Sequence, residues 1–197
     1  ADLGMEQRMT LCNMAIEAGA RVALIAPDQV TYDWLRGRPM APSGEAFDQA
    51  LAYWRTLYSD PDATYDRDIT MDLDALAPHV TWGTSPEDAI PIDATVPDPA
   101  EDPDPQRALR RQRALDYMGL SAGQTLAGTA IDVVFIGSCT NGRLADLKAA
   151  ADILRGRKVH DGVRAIAVPG SGLVKAEAET LGLDRVFLDA GFEWRDA

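Results

Sequence analysis

The sequence predicts an α/β protein with a parallel sheet, and two features of its last third carry that prediction. Residues 130–137, AIDVVFIG, are a nearly continuous apolar run, which is typical of a buried strand. From there, strand and helix patterns alternate through short links as far as residue 191. Short links of this kind bring successive strands side by side in one direction, so we expect the strands to be parallel.

The first half of the chain predicts further helices and short strands. A stripe of apolar residues at helical spacing predicts a helix over residues 5–19, and its members are Met5, Met9, Cys12 and Ile16. Asp28 is the expected N-cap of a helix over 28–37. The remaining elements predicted in this half are a helix over 43–58 and strands over 21–27, 65–73 and 79–84.

A change of composition separates the two halves. Residues 95–106, TVPDPAEDPDPQ, hold four prolines and four acids, which predicts an extended, self-repelling linker. We therefore expect a first α/β subdomain over 1–94 and a second over 107–197. The elements predicted in the second subdomain are helices over 107–119, 143–156 and 173–182 and strands over 130–137, 163–169 and 184–191.

Composition narrows the classes of function. The 197 residues carry a net charge of −12, which argues against a nucleic-acid partner, because such proteins present basic patches. No apolar run approaches the roughly 18 residues of a membrane span, so no membrane partner is expected. Two cysteines do not make a disulfide framework, and this favours a cytoplasmic location. The chain opens ADLGMEQRMT, without an initiator Met, so we expect either a processed product or a piece of a longer protein.

The turn GSCTNG, residues 137–142, is the main candidate site. It follows the apolar strand and precedes a helix, and ligands of open parallel sheets collect where the strands end. A helix N-terminus favours an ionised thiol, so Cys139 is a candidate nucleophile, redox thiol or metal ligand. From these residues alone, a small buried cysteine in a tight turn is an equal alternative.

Two other classes of function stay open at this point. A phosphate-binding module would use the same turn, but the sequence has neither of the usual glycine-rich phosphate motifs. A thiol enzyme would use Cys139, but no second cysteine or evident histidine partner lies near it in the sequence.

Several motifs together resemble one family. IGSCTNGR followed by DL, then VPGSG and GFEWR, resemble the large subunits of 3-isopropylmalate dehydratases in the aconitase superfamily. In the first half, MEQRMTLCNMAIEAGAR and VTWGTSP are similar to the same subunits. The resemblance covers nearly the whole chain except the acidic stretch 97–106. IGSCTN is shared across the superfamily, whereas VTWGTSP and GFEWR indicate the isopropylmalate branch. The chain is therefore identified as a fragment of such a subunit, with aconitase-like three-layer α/β/α domains.

The resemblance implies a hydro-lyase. Such enzymes isomerise 2-isopropylmalate to 3-isopropylmalate in leucine biosynthesis, by removing water and adding it back at a [4Fe–4S] cluster. A separate small subunit completes the active site. The homoaconitate and citramalate hydro-lyases are the neighbouring alternatives.

The resemblance also assigns cluster ligands. The family's first cluster cysteine corresponds to Cys139, and the other two form a Cys-x-x-Cys beyond Ala197. Cys12 lies on the apolar face of its helix and is expected in the core. One cysteine does not hold a cluster, so this chain alone is expected to carry none and to be inactive.

Further site residues follow from the same resemblance. Asn13 and Glu17 correspond to family residues that face the active site, and Glu17 would handle the hydroxyl or water. Ser138, Thr140 and Asn141 would bind cluster sulfides or orient Cys139, with turn and helix-cap chemistry as the alternative.

Overall fold

The computed structural model describes residues 3–72, 74–137 and 140–197. Its helices are α1 (Met5–Met14), α2 (Gln29–Leu35), α3 (Glu45–Trp54), α4 (Pro105–Met118), α5 (Leu144–Leu154), α6 (Gly172–Thr180) and α7 (Leu183–Ala190). Its strands are β1 (His79–Thr81), β2 (Ala89–Pro91), β3 (Val133–Gly137), β4 (Arg164–Val168) and β5 (Phe192–Trp194). None of the helices in the described ranges is long and apolar enough to cross a membrane.

The chain divides into two compact units. The first unit combines Ala1–Thr64 with Asp132–Ala197, and the second unit is Tyr65–Ile131. The stretch 95–106, predicted as the linker between two subdomains, lies inside the second unit.

A parallel sheet organises the first unit. Its order is β3-β4-β5, with Val134 opposite Ala165 and Ala165 opposite Phe192, so the predicted α/β class is confirmed. These three residues point to one face and join a core with α5, α6 and α7. On the other face, Val133 and Phe135 remain 56% and 57% exposed. The described helices of this core therefore cover one face of the sheet and leave these two side chains in water.

The strand predicted over 184–191 is wrong, because residues 184–190 lie in α7 and β5 follows them. Leu183, Val186, Phe187 and Ala190 recur at spacings of three and four, which is the period of a helix face. That face enters the core, where Phe187 is 0% exposed. The short apolar run Val-Phe-Leu looks like a strand only when the residues around it are left out.

Two other predicted strands are also wrong. Residues 21–27 and 65–72 belong to no strand among the residues that the structure describes. Val22 and Leu24 are largely exposed, as are Tyr65 and Ile69. Their sequence patterns suit a strand, but a strand also needs a neighbour to receive its backbone hydrogen bonds, and the described chain places none beside them.

The second unit packs α4 against an antiparallel pair of strands. β1 pairs with β2, and the small core consists of Trp82, Val96, Ala114 and Leu115. The acidic stretch 95–106 is folded here, because its carboxylates have partners. Asp98 caps a short 3₁₀ helix, Pro99–Glu101, and Asp104 caps α4. Asp102, 1% exposed at its side chain, pairs with Arg107 and Arg111 at 2.6 Å each.

Asp102 is expected to make this unit sensitive to acid. The hydrogen bond from Arg107, with further charge attraction from Arg107 and Arg111, lowers the pKa of Asp102 from 3.8 to about 2. Because the folded-state pKa is the lower one, the pair stabilises the unit above pH 4, and this stabilisation is lost as pH falls from about 4 to about 2. Asp102→Asn should therefore destabilise the protein at pH 7, and the difference from the unsubstituted chain should shrink across that window.

The measurement is a series of urea unfolding curves between pH 7 and pH 2, followed by circular dichroism. Asp93→Asn removes the same charge from an exposed position in the same unit and serves as the control. If Asp102→Asn and Asp93→Asn behave alike at every pH, the ion pair does not stabilise the unit.

Candidate active site at the carboxyl ends of β3 and β4

Two loops meet where β3 and β4 end in the first unit. The turn at 140–142 follows β3, and the loop at 169–171 follows β4. The backbone N–H of Gly170 donates a hydrogen bond to the carbonyl oxygen of Gly142 at 2.8 Å. The parallel register explains this meeting, because Gly137 and Val168 are paired at the ends of the two strands.

Gly137 allows the close approach of these strand ends. Its φ is +143°, a backbone conformation that residues with a Cβ rarely adopt. A Cβ at this position would collide with the backbone carbonyl oxygen of Val168. The glycine of the GSCTNG turn is therefore required by the sheet itself as well as by the turn.

Gly137→Ala is expected to damage the site and the sheet together. The backbone conformation alone should cost about 1–3 kcal/mol of unfolding free energy, and displacement of the Val168 carbonyl should add to that. Gly172→Ala is the matched control, since no atom lies within 4 Å of its Cβ position at the start of α6. Chemical denaturation of the two variants tests this, and equal stabilities would refute the steric argument.

The structure brings three of the predicted site residues together. The hydroxyl of Thr140 donates to Oδ1 of Asn13 at 3.3 Å, which joins the turn to α1. Asn141 also reaches α1, with its Oδ1 2.9 Å from Oγ1 of Thr10. Ser138 and Cys139, the other two residues predicted in this turn, lie outside the described residues.

Glu17 does not share this contact. The helix predicted over 5–19 ends as α1 at Met14, and residues 15–19 continue in tighter turns, such as Glu17 N–H to Met14 carbonyl at 3.0 Å. Because α1 ends before Glu17, the structure does not place this exposed residue beside Asn13 on one regular α-helical face.

Two further residues at this contact, Thr10 and Arg143, are not predicted from the sequence. Nη1 of Arg143 donates to the carbonyl oxygen of Glu6 at 2.8 Å and to Oγ1 of Thr10 at 3.2 Å. The sequence does contain a signal for Arg143, because this residue occupies the N-cap of α5. A cation at a helix N-terminus opposes the helix dipole, so an arginine there indicates another role.

Two other motifs have structural roles here. In VPGSG, Oγ of Ser171 accepts a hydrogen bond from Val174 N–H at 3.2 Å, so Ser171 caps α6. In GFEWR, Glu193 pairs with Arg164 at 2.7 Å and also with Arg195. The hydrogen bond from Arg164, followed by that from Arg195, lowers the pKa of Glu193 to about 2. Glu193 is therefore held as a carboxylate at neutral pH.

Cys12 is less buried than the sequence predicts. It is a free thiol of intermediate exposure and lines a groove of about 340 Å³ beside α1. The groove is mostly apolar, with Met5, Met9, Leu24 and Ile25 around the thiol. Across the described ranges, no group of three or more His, Cys, Asp or Glu side chains is placed to hold a metal ion.

Comparison with known proteins identifies the family of this chain. Residues 1–197 match the model of the aconitase family (aconitate hydratase). The chain belongs to the aconitase family. It is 56% identical over 192 residues to the 3-isopropylmalate dehydratase large subunit 1 of Bradyrhizobium diazoefficiens. That alignment covers 98% of this chain and 40% of the relative, so the chain spans less than half of that protein's length.

Proposed function

We propose that this chain is part of a 3-isopropylmalate dehydratase large subunit. The complete subunit would be a hydro-lyase that converts 2-isopropylmalate into 3-isopropylmalate by removing water and adding it back, as a step of leucine biosynthesis. The observation that carries this proposal is the 56% identity to a relative of that name over 98% of the chain. The name of that relative, a large subunit, also supports a small subunit as the partner.

The cluster that the resemblance implies does not fit the described residues alone. A [4Fe–4S] cluster needs several thiolates, and the only free thiol in the described ranges is Cys12, in the apolar groove. Cys139 would supply one ligand, and other parts of a complete subunit would supply the rest. We therefore infer that this chain alone binds no stable cluster and is inactive, and we derive no reaction step through the cluster.

The chain's own contribution would be the polar turn after β3. Thr140 and Asn141 would surround Cys139 with hydrogen-bonding groups, together with Ser138. Asn13 would belong to the same group, because Thr140 donates to it across the contact with α1. Glu17 would take or return a proton at the substrate's hydroxyl or water. For Glu17 the support is the family resemblance, since its carboxylate is exposed.

The test uses a complete large subunit containing this chain, combined with its small subunit and reconstituted anaerobically with iron and sulfide. We expect kcat/KM for 2-isopropylmalate to exceed that for citramalate and homoaconitate by at least about tenfold, because the isopropyl group offers more apolar surface to a fitted pocket. A preference for either competitor would overturn the substrate assignment. Absence of activity with all three substrates, despite about four bound irons, would overturn the hydro-lyase proposal.

A further inference from the structure

Thr10 and Arg143 join α1 to the turn after β3, and the proposed function does not use either of them. Thr10 lies 131 residues from Asn141 in the sequence, yet their side-chain oxygens are 2.9 Å apart. Arg143 reaches the same helix through two contacts of one nitrogen, at 2.8 Å to Glu6 and 3.2 Å to Thr10. Thr10 is thus the point at which Arg143, Asn141 and α1 meet.

The number of hydrogen bonds that the Thr10 hydroxyl can donate and accept determines how the Asn141 amide is oriented. A threonine hydroxyl has one hydrogen to donate and two lone pairs to accept with. Two oxygens lie within reach of that hydrogen, the Glu6 carbonyl at 3.0 Å and Asn141 Oδ1 at 2.9 Å. One hydrogen does not serve both, so one of the two contacts would be unsatisfied.

Rotation of the amide by 180° satisfies the Thr10 hydroxyl and both of its neighbours. The oxygen and nitrogen of an asparagine amide are assigned from the network around them, so both orientations fit the same shape. With Nδ2 of Asn141 facing Thr10, Oγ1 accepts from Asn141 and from Arg143 and donates to the Glu6 carbonyl. The hydroxyl then uses its one hydrogen and both lone pairs.

We propose that Thr10 and Arg143 are positioning residues, which hold the turn after β3 against α1 and orient the Asn141 amide with its nitrogen toward Thr10. The second N–H and the carbonyl oxygen of Asn141 then stay available for other partners. The inference rests on the proposed function, because it gives Asn141 its role beside Cys139. The same link sets the position of α1 and therefore of Asn13 opposite Thr140.

The position of Arg143 provides a test that separates positioning from stability. Arginine is a poor N-cap for α5, whereas serine is among the best. Arg143→Ser should therefore keep or raise the melting temperature while it removes the link to α1. A residue that acts only on stability would not show this separation.

The experiment compares loss and rescue variants in the complete large subunit with its small subunit. Thr10→Val and Arg143→Ser should speed hydrogen exchange of the amides at 140–142 by at least about tenfold. In the reconstituted complex they should lower kcat by about 10–100-fold with little change in KM, as loss of an outer partner of a metal site does. Thr10→Ser and Arg143→Lys keep a donor or acceptor at the link and should recover most of both losses.

Thr180→Val is the matched control. The Thr180 hydroxyl donates to the carbonyl four residues earlier, at 2.8 Å, as Thr10 does, but it lies on α6 and outside this network. Unchanged exchange in Thr10→Val and Arg143→Ser would overturn the link. Faster exchange with unchanged kcat would overturn the positioning role. An inactive unsubstituted complex would count against the proposed function instead, and hydrogen exchange would still decide whether the link exists.

Discussion

Replacing Cys139 by alanine in a complete large subunit should abolish both iron binding and hydro-lyase activity. Loss of an outer partner of a metal already costs about 10–100-fold, so loss of a direct thiolate ligand should cost more than about 100-fold. The iron content measured after anaerobic reconstitution with iron and sulfide should fall from about four irons per subunit to a trace. Isomerisation of 2-isopropylmalate, measured on the same samples, should fall in parallel.

Cys12→Ala is the control for this prediction. Cys12 lines the apolar groove beside α1, and its replacement should leave both iron content and activity near the unsubstituted values. Circular dichroism of both variants shows whether the fold is kept. Full iron binding by Cys139→Ala would exclude this cysteine as a ligand and would leave the turn with a structural role only.

Phe187→Ala should produce one of the largest losses of stability in the first unit. Phe187 is 0% exposed and contacts Phe192 and Trp194, with ring centroids 5.4 Å apart in both pairs. Truncation of such a buried ring costs about 3–5 kcal/mol, because it removes apolar burial and leaves a cavity between α7 and the sheet.

Leu188→Ala tests whether burial is the cause. Leu188 is the next residue of α7 but is 46% exposed, so its truncation should cost about 1 kcal/mol or less. Urea unfolding monitored by tryptophan fluorescence compares the two variants. Similar losses in both would show that α7 does not pack as the structure places it.

The sequence predicts the elements whose signals are local. For α5, the helical stripe agrees with the burial that the structure shows, since Leu147 and Ala151 face the core. For β3, the continuous apolar run predicts the strand but not its one-sided burial, since Val133 and Phe135 remain exposed. α7 is wrongly predicted as a strand, because three adjacent apolar residues are typical of a strand. The helical spacing of its apolar residues becomes visible only over eight residues. Residues 21–27 are misread for another reason: their pattern is sound, but strand pairing depends on a neighbour that local sequence does not specify.

In the candidate site too, features that depend on local sequence are predicted and features that depend on distant contacts are not. The turn after β3 is recognisable from its residues and from the family resemblance, and in the structure Thr140 and Asn141 contact α1. Thr10 and Arg143 are not predicted, because their contact joins parts of the chain that are 133 residues apart.

The acidic stretch 95–106 is read as self-repelling for a similar reason. Its charges are compensated by arginines on α4 that a composition window does not pair with them.

The open face of the sheet has a consequence for how this chain behaves in salt solution. The net charge of −12 keeps copies apart at low ionic strength, whereas Val133 and Phe135 offer a flat apolar surface for association. Added salt screens the charge repulsion between copies. Sulfate strengthens association through the apolar face, because it favours burial of apolar surface. Ammonium sulfate should therefore precipitate this chain at a lower concentration than a variant in which Phe135 is replaced by threonine, and the salting-out curve becomes a direct measure of the uncovered face.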